Sequence, residues 1–393
     1  MEQNKANIFD ILRAVAIFMI FNTHNFCVLP IFAQGIVYPP FFYTPAWAGC
    51  WIFFILSGYL LGKGFYAEKY DTSSVKGFLT FYARRLCRIV PLYLFFLLLV
   101  FCFISPELLL NKSIFLYLTF RFNGTVGSSI QTGALWFVST IVHLYLLAPF
   151  VYKFILKKVK TPLFFIIFVV GGLALRLYQR KLGMDWNGVT YTPFYSNLDL
   201  FFGGMFFNVI VEKYKQMDIK PQISKFIQIL SSVLLLGLII KNTQIYSLVK
   251  SSEDIYFFTY AYICPTLYLI FTSFVIMAFE PKEKVKYAPL NFKNMLKNPV
   301  RFIEGFGVVS FSFYMLHSTV LYSFGPICAK FGEVHAVLFN LIKFNMSATM
   351  NKIWHEYIYS FVFCLILSII IYNFFEKPVG KFQKQIGQKN ADS

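Results

Sequence analysis

Charge is scarce in this chain: Asp, Glu, Lys and Arg make up 14% of its 393 residues, where soluble domains carry about a quarter. With 58% hydrophobic residues, the apolar surface must face something other than water, which excludes a soluble enzyme. The five histidines form no His-x-x-x-His and the seven cysteines no Cys-x-x-Cys, so a zinc site has no motif behind it and no metal is expected. There is no low-complexity tract and no pair of repeated halves of transporter type. The same composition excludes a disordered, collagen-like or disulfide-scaffold chain. Cys87, Cys102, Cys264 and Cys364 fall in or beside apolar runs and read as small packing residues. Cys27, Cys50 and Cys328 lie near the ends of such runs, and the spacing leaves their pairing open.

What is present is apolar length. The mean hydropathy is +0.61, and the 50 Phe and 25 Tyr suit lipid-facing and interfacial positions. The hydrophobic share suffices for about ten spans of about 20 residues. The runs predict an all-α polytopic membrane protein with spans at 8–29, 46–62, 87–105, 133–152, 162–178, 197–212, 225–241, 256–279, 302–323 and 354–375. Ser113 to Phe122 is too short to cross and is expected at the interface. The first run contains Arg13 and lacks a small-residue cleavage site, so it reads as a retained helix and not a signal peptide. One membrane domain is expected over 1–380, followed by a short basic cytoplasmic tail at 381–393.

The formal net charge of +18 would suggest nucleic acid in a soluble chain. Here it reads as the positive-inside bias, with anionic membrane lipids as the partner and no nucleic acid. With the N-terminus inside, 25 of the 36 Lys and Arg fall on the cytoplasmic side and 10 on the other, Arg13 lying within the first span. Both termini are therefore expected in the cytoplasm.

The first span carries Asp10, Arg13 and His24. Ionisable groups at membrane depth cost free energy unless they face a protein interior or a wet cavity, which makes them functional candidates. Eleven residues separate Arg13 from His24, and at about 100° per residue that is three turns plus about 20°. They share a face, roughly 16 Å apart along the axis. Asp10, three residues before Arg13, is placed to hold its guanidinium. The plain alternative is an arginine snorkelling to headgroups and an interfacial histidine beside Asn22, Thr23 and Asn25.

Asp10-Ile-Leu-Arg13 followed by His24 resembles the start of the membrane acyltransferase-3 family. Further matches come in order: Phe53-Phe54-Ile55-Leu56-Ser57-Gly58-Tyr59, and Phe81 to Tyr93 with its Arg84-Arg85-Leu86-Cys87-Arg88 core and Pro91. Leu135-Trp136-Phe137 with Tyr145 and Pro149, Ser310-Phe311-Ser312-Phe313-Tyr314-Met315-Leu316-His317, and Glu376-Lys377-Pro378 complete the set. The resemblance covers nearly the whole chain. One position departs: many members carry an acid five residues after the Trp, where this chain has Ile141. His143, two further on, is either a substitute or a histidine satisfied by a neighbouring helix.

The resemblance implies an integral membrane O-acyltransferase of the bacterial plasma (inner) membrane. It moves an acyl group, acetyl or succinyl, from acyl-CoA (acetyl-CoA foremost) to a hydroxyl of a cell-envelope sugar or polysaccharide, free or lipid-linked. A hydroxyl needs a base to take its proton as the bond forms, and a histidine near neutral pKa suits that task. His24 is assigned as the base, with Arg13 and Asp10 completing the catalytic set. Arg84, Arg85 and Arg88, in what reads as a basic loop, with Arg85 and Arg88 sharing a face at the entry of the third helix, are assigned to the phosphates of coenzyme A, because guanidinium forks match phosphate oxygens; an ordinary positive-inside cluster is the alternative. His317, expected at the depth of His24, is assigned with Tyr314 to the acceptor site or to the groups just behind it, with structural hydrogen bonding between helices as the alternative. Trp136 joins them as a sugar-stacking surface, with an interfacial anchor as its alternative. Ser57-Gly58 reads as close helix packing. The rival function is a transporter or flippase of a lipid-linked sugar.

Overall fold

The computed structural model describes residues 6–28, 45–104, 106, 112, 114–122, 132–184, 190–248, 255–281, 298–321 and 348–386, with side chains left aside at 25–28, 247, 348–356 and 384. Among these residues the fold is all-helical, with no strand. Helix α1 (Ile8–Val28) starts at Asn7, whose side chain accepts from the Phe9 amide at 3.1 Å and donates to Asp10 at 2.7 Å. That cap satisfies an otherwise unpaired amide, and Asp10 in the first turn suits the positive end of the helix. Next come α2 (Ala46–Tyr66) and α3 (Val75–Leu99), the latter continuing into a wider turn at Val100–Ile104.

A short α4 (Ile114–Leu118) follows, then α5 (Trp136–Phe154), α6 (Phe165–Lys181), α7 (Leu198–Phe206), α8 (Asn208–Gln216) and α9 (Pro221–Ser247). The chain ends through α10 (Ile255–Phe258), α11 (Cys264–Phe279), α12 (Pro299–Val308), α13 (310–321), α14 (Ala348–Ile371) and α15 (Lys377–Gln385).

Among the described residues, eight helical stretches are long and apolar enough to cross a membrane. They correspond to the second to eighth and the tenth expected spans. The first expected span falls on α1, whose side chains are described through His24, and the ninth on α12 and α13. Burial separates inner from outer helices: the α2 window is 78% buried and that of α9 only 17%. Phe226, Ile229, Val233 and Leu236 of α9 are exposed, which a lipid-facing helix tolerates and a soluble one does not.

Two close crossings hold the inner helices. A side chain at Gly58 of α2 would overlap the Phe201 carbonyl of α7, and one at Gly307 of α12 would overlap the Asp10 carbonyl of α1. Small residues let such backbones approach, and dispersion does the rest in lipid. Ser57-Gly58 is thus a packing pair on its glycine side, as expected. Polar ties supplement the packing. Arg176 of α6 makes a two-pronged ion pair with Asp199 of α7 (3.2 and 2.8 Å) and also donates to Thr266 of α11 at 2.8 Å.

Three expectations are corrected. The basic segment before the third span is helix and not loop: α3 begins at Val75, capped by Ser74, whose hydroxyl accepts from the Gly77 amide at 3.0 Å. Asp71 organises that cap, and the Ser73 and Ser74 donors hold its carboxyl well below the usual carboxylate range. The ninth span is interrupted at Val309, between α12 and α13. Arg176, inside the expected span 162–178 but tallied with the ten non-cytoplasmic cations, is a buried residue inside the bundle. In the short segment expected at the interface, Tyr117 is buried and its carbonyl accepts from Tyr93 at 3.0 Å. The Cys50, Cys87, Cys102, Cys264 and Cys364 thiols are free, while the Cys27 side chain and Cys328 lie outside the described residues.

Candidate active site

A cavity of about 120 Å³ opens between α1, α2, α3, α5 and α13. Its polar wall is made by Arg13, Arg85 and Arg88 with the Ser57 and Ser310 hydroxyls, and its apolar wall includes Phe53, Phe137 and Ile141. Arg13 and Arg85 come from different helices, so the concentration of positive charge is a product of the fold. Asp10 accepts from the Arg13 guanidinium at 2.5 Å and fixes it on the α1 face. Arg85 donates to the Tyr70 hydroxyl, and its guanidinium lies over the Tyr70, Phe81 and Tyr145 rings at 5.3 to 5.8 Å. Its buried Nε has no hydrogen-bond partner. A buried donor left open is costly, and an anionic oxygen in the cavity would satisfy it.

Arg84 does not join this group. Its Nε donates to the Ile386 carbonyl at 2.7 Å, and it does not line the cavity. Phase alone does not set it apart, since Arg84 lies about 40° from Arg88 around α3; its bond to the Ile386 carbonyl holds it away.

Toward the other end of α1, His24 meets His317 of α13, with ring centroids 4.8 Å apart. The two imidazoles share a depth, as the residue count along the two spans predicts. Each ring has Nδ1 against a carbonyl of its own helix, His24 on Ile20 at 2.8 Å and His317 on Tyr314 at 2.6 Å. A carbonyl only accepts, so both Nδ1 atoms carry the proton and both Nε2 atoms present lone pairs. His317 is fully buried and its Nε2 lies 3.3 Å from the Ser318 hydroxyl, which donates to it. His24 is half-buried.

Tyr314 joins the two halves. It lines the cavity, its ring lies 5.4 Å from that of His317, and its hydroxyl donates to the Ala134 carbonyl. His24 itself does not line the cavity, so Tyr314 stands between the guanidinium wall and the histidine pair.

The remaining sequence candidates are placed as follows. Trp136 is buried and packs on Tyr191 at 4.6 Å and Phe54 at 6.3 Å, away from the cavity wall. His143 donates from Nδ1 to the Ser139 carbonyl at 2.8 Å and stacks on Phe194, so its own helix satisfies it. Ile141 lines the cavity, which makes the place of the missing acid an apolar wall. His335 and the His355 side chain lie outside the described residues.

Sequence reasoning missed Tyr145, Ser57 and Ser310 as cavity residues. The signal was available for two of them: Ile141 and Tyr145, like Ser310 and Tyr314, are four apart and share a helix face.

The sequence profile of the family described as "Acyltransferase domain" matches residues 7–373, nearly the whole chain. The protein belongs to the acyltransferase-3 family. Among curated proteins and among solved structures, none matches the chain. Family membership makes the protein an acyltransferase that transfers groups other than aminoacyl groups, and the apolar helices make it a multi-pass membrane protein. Within the acyltransferase-3 profile lie all the residues of the cavity and both histidines of the pair.

Proposed function

We propose that this acyltransferase moves an acetyl or succinyl group from acyl-CoA to a hydroxyl of a cell-envelope sugar, with His24 as general base. The observation that carries the reading is α1 itself: Arg13 at one end belongs to a cluster of three guanidiniums around a cavity, and His24 toward the other end presents a lone-pair Nε2 beside His317. Ten spans, with both termini in the cytoplasm of a bacterium and the chain in its plasma membrane, complete the picture. Arg85, Arg88 and Arg13 hold the phosphates of coenzyme A on the cytoplasmic side. The pantetheine arm runs along α1 past Tyr314, over the roughly 16 Å that eleven helical residues span.

The acceptor oxygen attacks the thioester carbonyl while His24 Nε2 takes the hydroxyl proton, forming the new C–O bond. The tetrahedral adduct then expels the thiolate as the C–S bond breaks, and the His24 imidazolium returns its proton to that sulfur. The buried His317, whose Nδ1–H is held by the Tyr314 carbonyl and whose Nε2 accepts from Ser318, walls the acceptor site by ring contact beside His24. Tyr314 lines the passage between the donor and acceptor halves.

The test is transfer of labelled acyl groups in proteoliposomes, from acetyl-CoA or succinyl-CoA supplied on one side to envelope glycans on the other. His24→Gln keeps a hydrogen-bonding side chain of similar reach but no base, and is expected to lose transfer by about 10²- to 10⁴-fold. Full activity in that variant would remove the base assignment. Labelling of the Lys282–Lys297 segment from outside intact cells would invert the topology.

A further inference from the structure

A second cavity, of about 550 Å³, lies beside α2 on a different face from the first. Tyr59, Lys63 and Tyr66 line it, at the i, i+4, i+7 spacing of one helix stripe. Phe53, Ser57 and Leu60 face the donor cavity, about 120° further round the helix. Its floor is a buried carboxylate. Glu280, just past α11, accepts from Lys63 at 2.7 Å and from Lys215 at 2.9 Å on the same oxygen, and from the Tyr59 hydroxyl on the other. Asn208 stiffens this floor by donating to the Tyr59 and Met205 carbonyls at 2.9 and 3.0 Å.

One carboxylate therefore holds two ammonium groups, an excess of positive charge fixed in place. Each ammonium has three N–H donors and directs one to Glu280. The rim adds Lys160 and Lys213 against Glu212. Four cations thus face two anions around one concavity. That balance is wrong for a cation and right for a ligand carrying two negative charges. The cavity is far larger than a single water-sized void, so the charge arrives on a larger body.

We propose that this cavity is a second anion site, separate from the donor cavity, that binds a phosphate ester through Lys63 and Lys215 held by Glu280, with Lys160 and Lys213 closing the rim. Two sources carry that chemistry: the headgroup of an anionic phospholipid from the adjoining leaflet, and a soluble phosphate ester. The site stands on the cavity and its charges alone and does not depend on the acyl-transfer mechanism above.

The experiment uses the full chain with Arg85→Ala and Arg88→Ala introduced in both proteins compared, so that phosphate binding in the donor cavity is weakened on the order of a hundredfold and is the same in both. In phosphatidylcholine nanodiscs, pyrophosphate is titrated by calorimetry. In parallel, native mass spectrometry counts phosphatidylglycerol retained from mixed vesicles of phosphatidylglycerol and phosphatidylcholine. The comparison protein adds Lys160→Gln and Lys213→Gln, which leave Glu280 and its two partners untouched. At least one probe is expected to bind and to weaken by about tenfold in the comparison protein, the loss of one charge-assisted contact or more. Pyrophosphate binding identifies a soluble source and retained phosphatidylglycerol a lipid source. If neither probe binds, or if binding is equal in the two proteins, the site is refuted. Lys160→Gln alone provides a milder variant, expected to weaken the same probe by a smaller factor.

Discussion

Of the three neighbouring arginines of α3, two are expected to matter for donor binding and one is not. Arg85 and Arg88 line the cavity with Arg13, while Arg84 is turned to the Ile386 carbonyl. A hydrogen bond to a charged group contributes about 1.5–3 kcal/mol, and the half-buried position of Arg85 places it at the low end because solvent screens the charge. Since 1.4 kcal/mol is a factor of ten, Arg85→Ala and Arg88→Ala are each expected to weaken coenzyme A binding by about tenfold. The double variant should lose on the order of a hundredfold, modified by coupling between residues that share a ligand. Arg84→Ala is expected to stay within about twofold, as for a surface change of about 0.5 kcal/mol. Arg85→Lys keeps the charge but loses the planar fork over Tyr70 and Tyr145, and should fall between wild type and Arg85→Ala. Calorimetry of coenzyme A into the detergent-solubilised protein measures all five, at two salt concentrations to expose the electrostatic share. Equal losses at Arg84 and Arg85 would refute the assignment by cavity lining, and full affinity in the double variant would refute the donor site altogether.

His317→Asn is expected to raise the acceptor KM more than it lowers kcat, because the ring walls the acceptor site beside His24 without taking the proton; steady-state kinetics against acceptor concentration checks this, and an unchanged KM would count against it. Asp199→Ala leaves Arg176 buried without its carboxylate and should cost about 3–5 kcal/mol. A matched apolar pair, Arg176→Met with Asp199→Leu, should recover most of the lost thermal stability in detergent, and a double variant no better than the single would contradict the pairing argument. Gly58→Val forces α2 away from the Phe201 carbonyl and should reduce the yield of monodisperse protein. Gly171→Val serves as the control, since nothing lies within 4 Å of a side chain added there.

Membrane location and helical class were legible because they rest on sums over many residues. Low charge, long apolar runs and the lysine distribution average out local irregularity. Single contacts between helices far apart in sequence were not legible. Glu280 drew no notice because an acid just past a span end reads as an ordinary cytoplasmic charge, yet it meets Lys63 and Tyr59 more than 200 positions away. Arg176 read as a cation near the end of its span because its partner Asp199 is on the next helix, where hydropathy alone gives no pairing. Trp136 read by type as either a sugar-stacking surface or an interfacial anchor, and only the packing of Tyr191 and Phe54 against it reveals a buried ring.

The contrast between the two halves of the candidate site follows from how helices accumulate error. Depth along a span grows by 1.5 Å per residue, so a boundary misplaced by two residues shifts depth by only about 3 Å. The shared depth of His24 and His317 was therefore readable by counting, even though α12 and α13 are separated by the break at Val309. Azimuth advances about 100° per residue, so the face a residue presents depends on where continuous helix begins. Arg85 and Arg88 were expected on one face of the third helix, but Arg84 is only about 40° from Arg88, and its bond to the Ile386 carbonyl, which no count along α3 gives, is what sets it apart. The same argument limits the column on α1: within that unbroken helix Arg13 and His24 keep a common face, but Tyr314, which stands between them, comes from another helix and no count along α1 could have placed it.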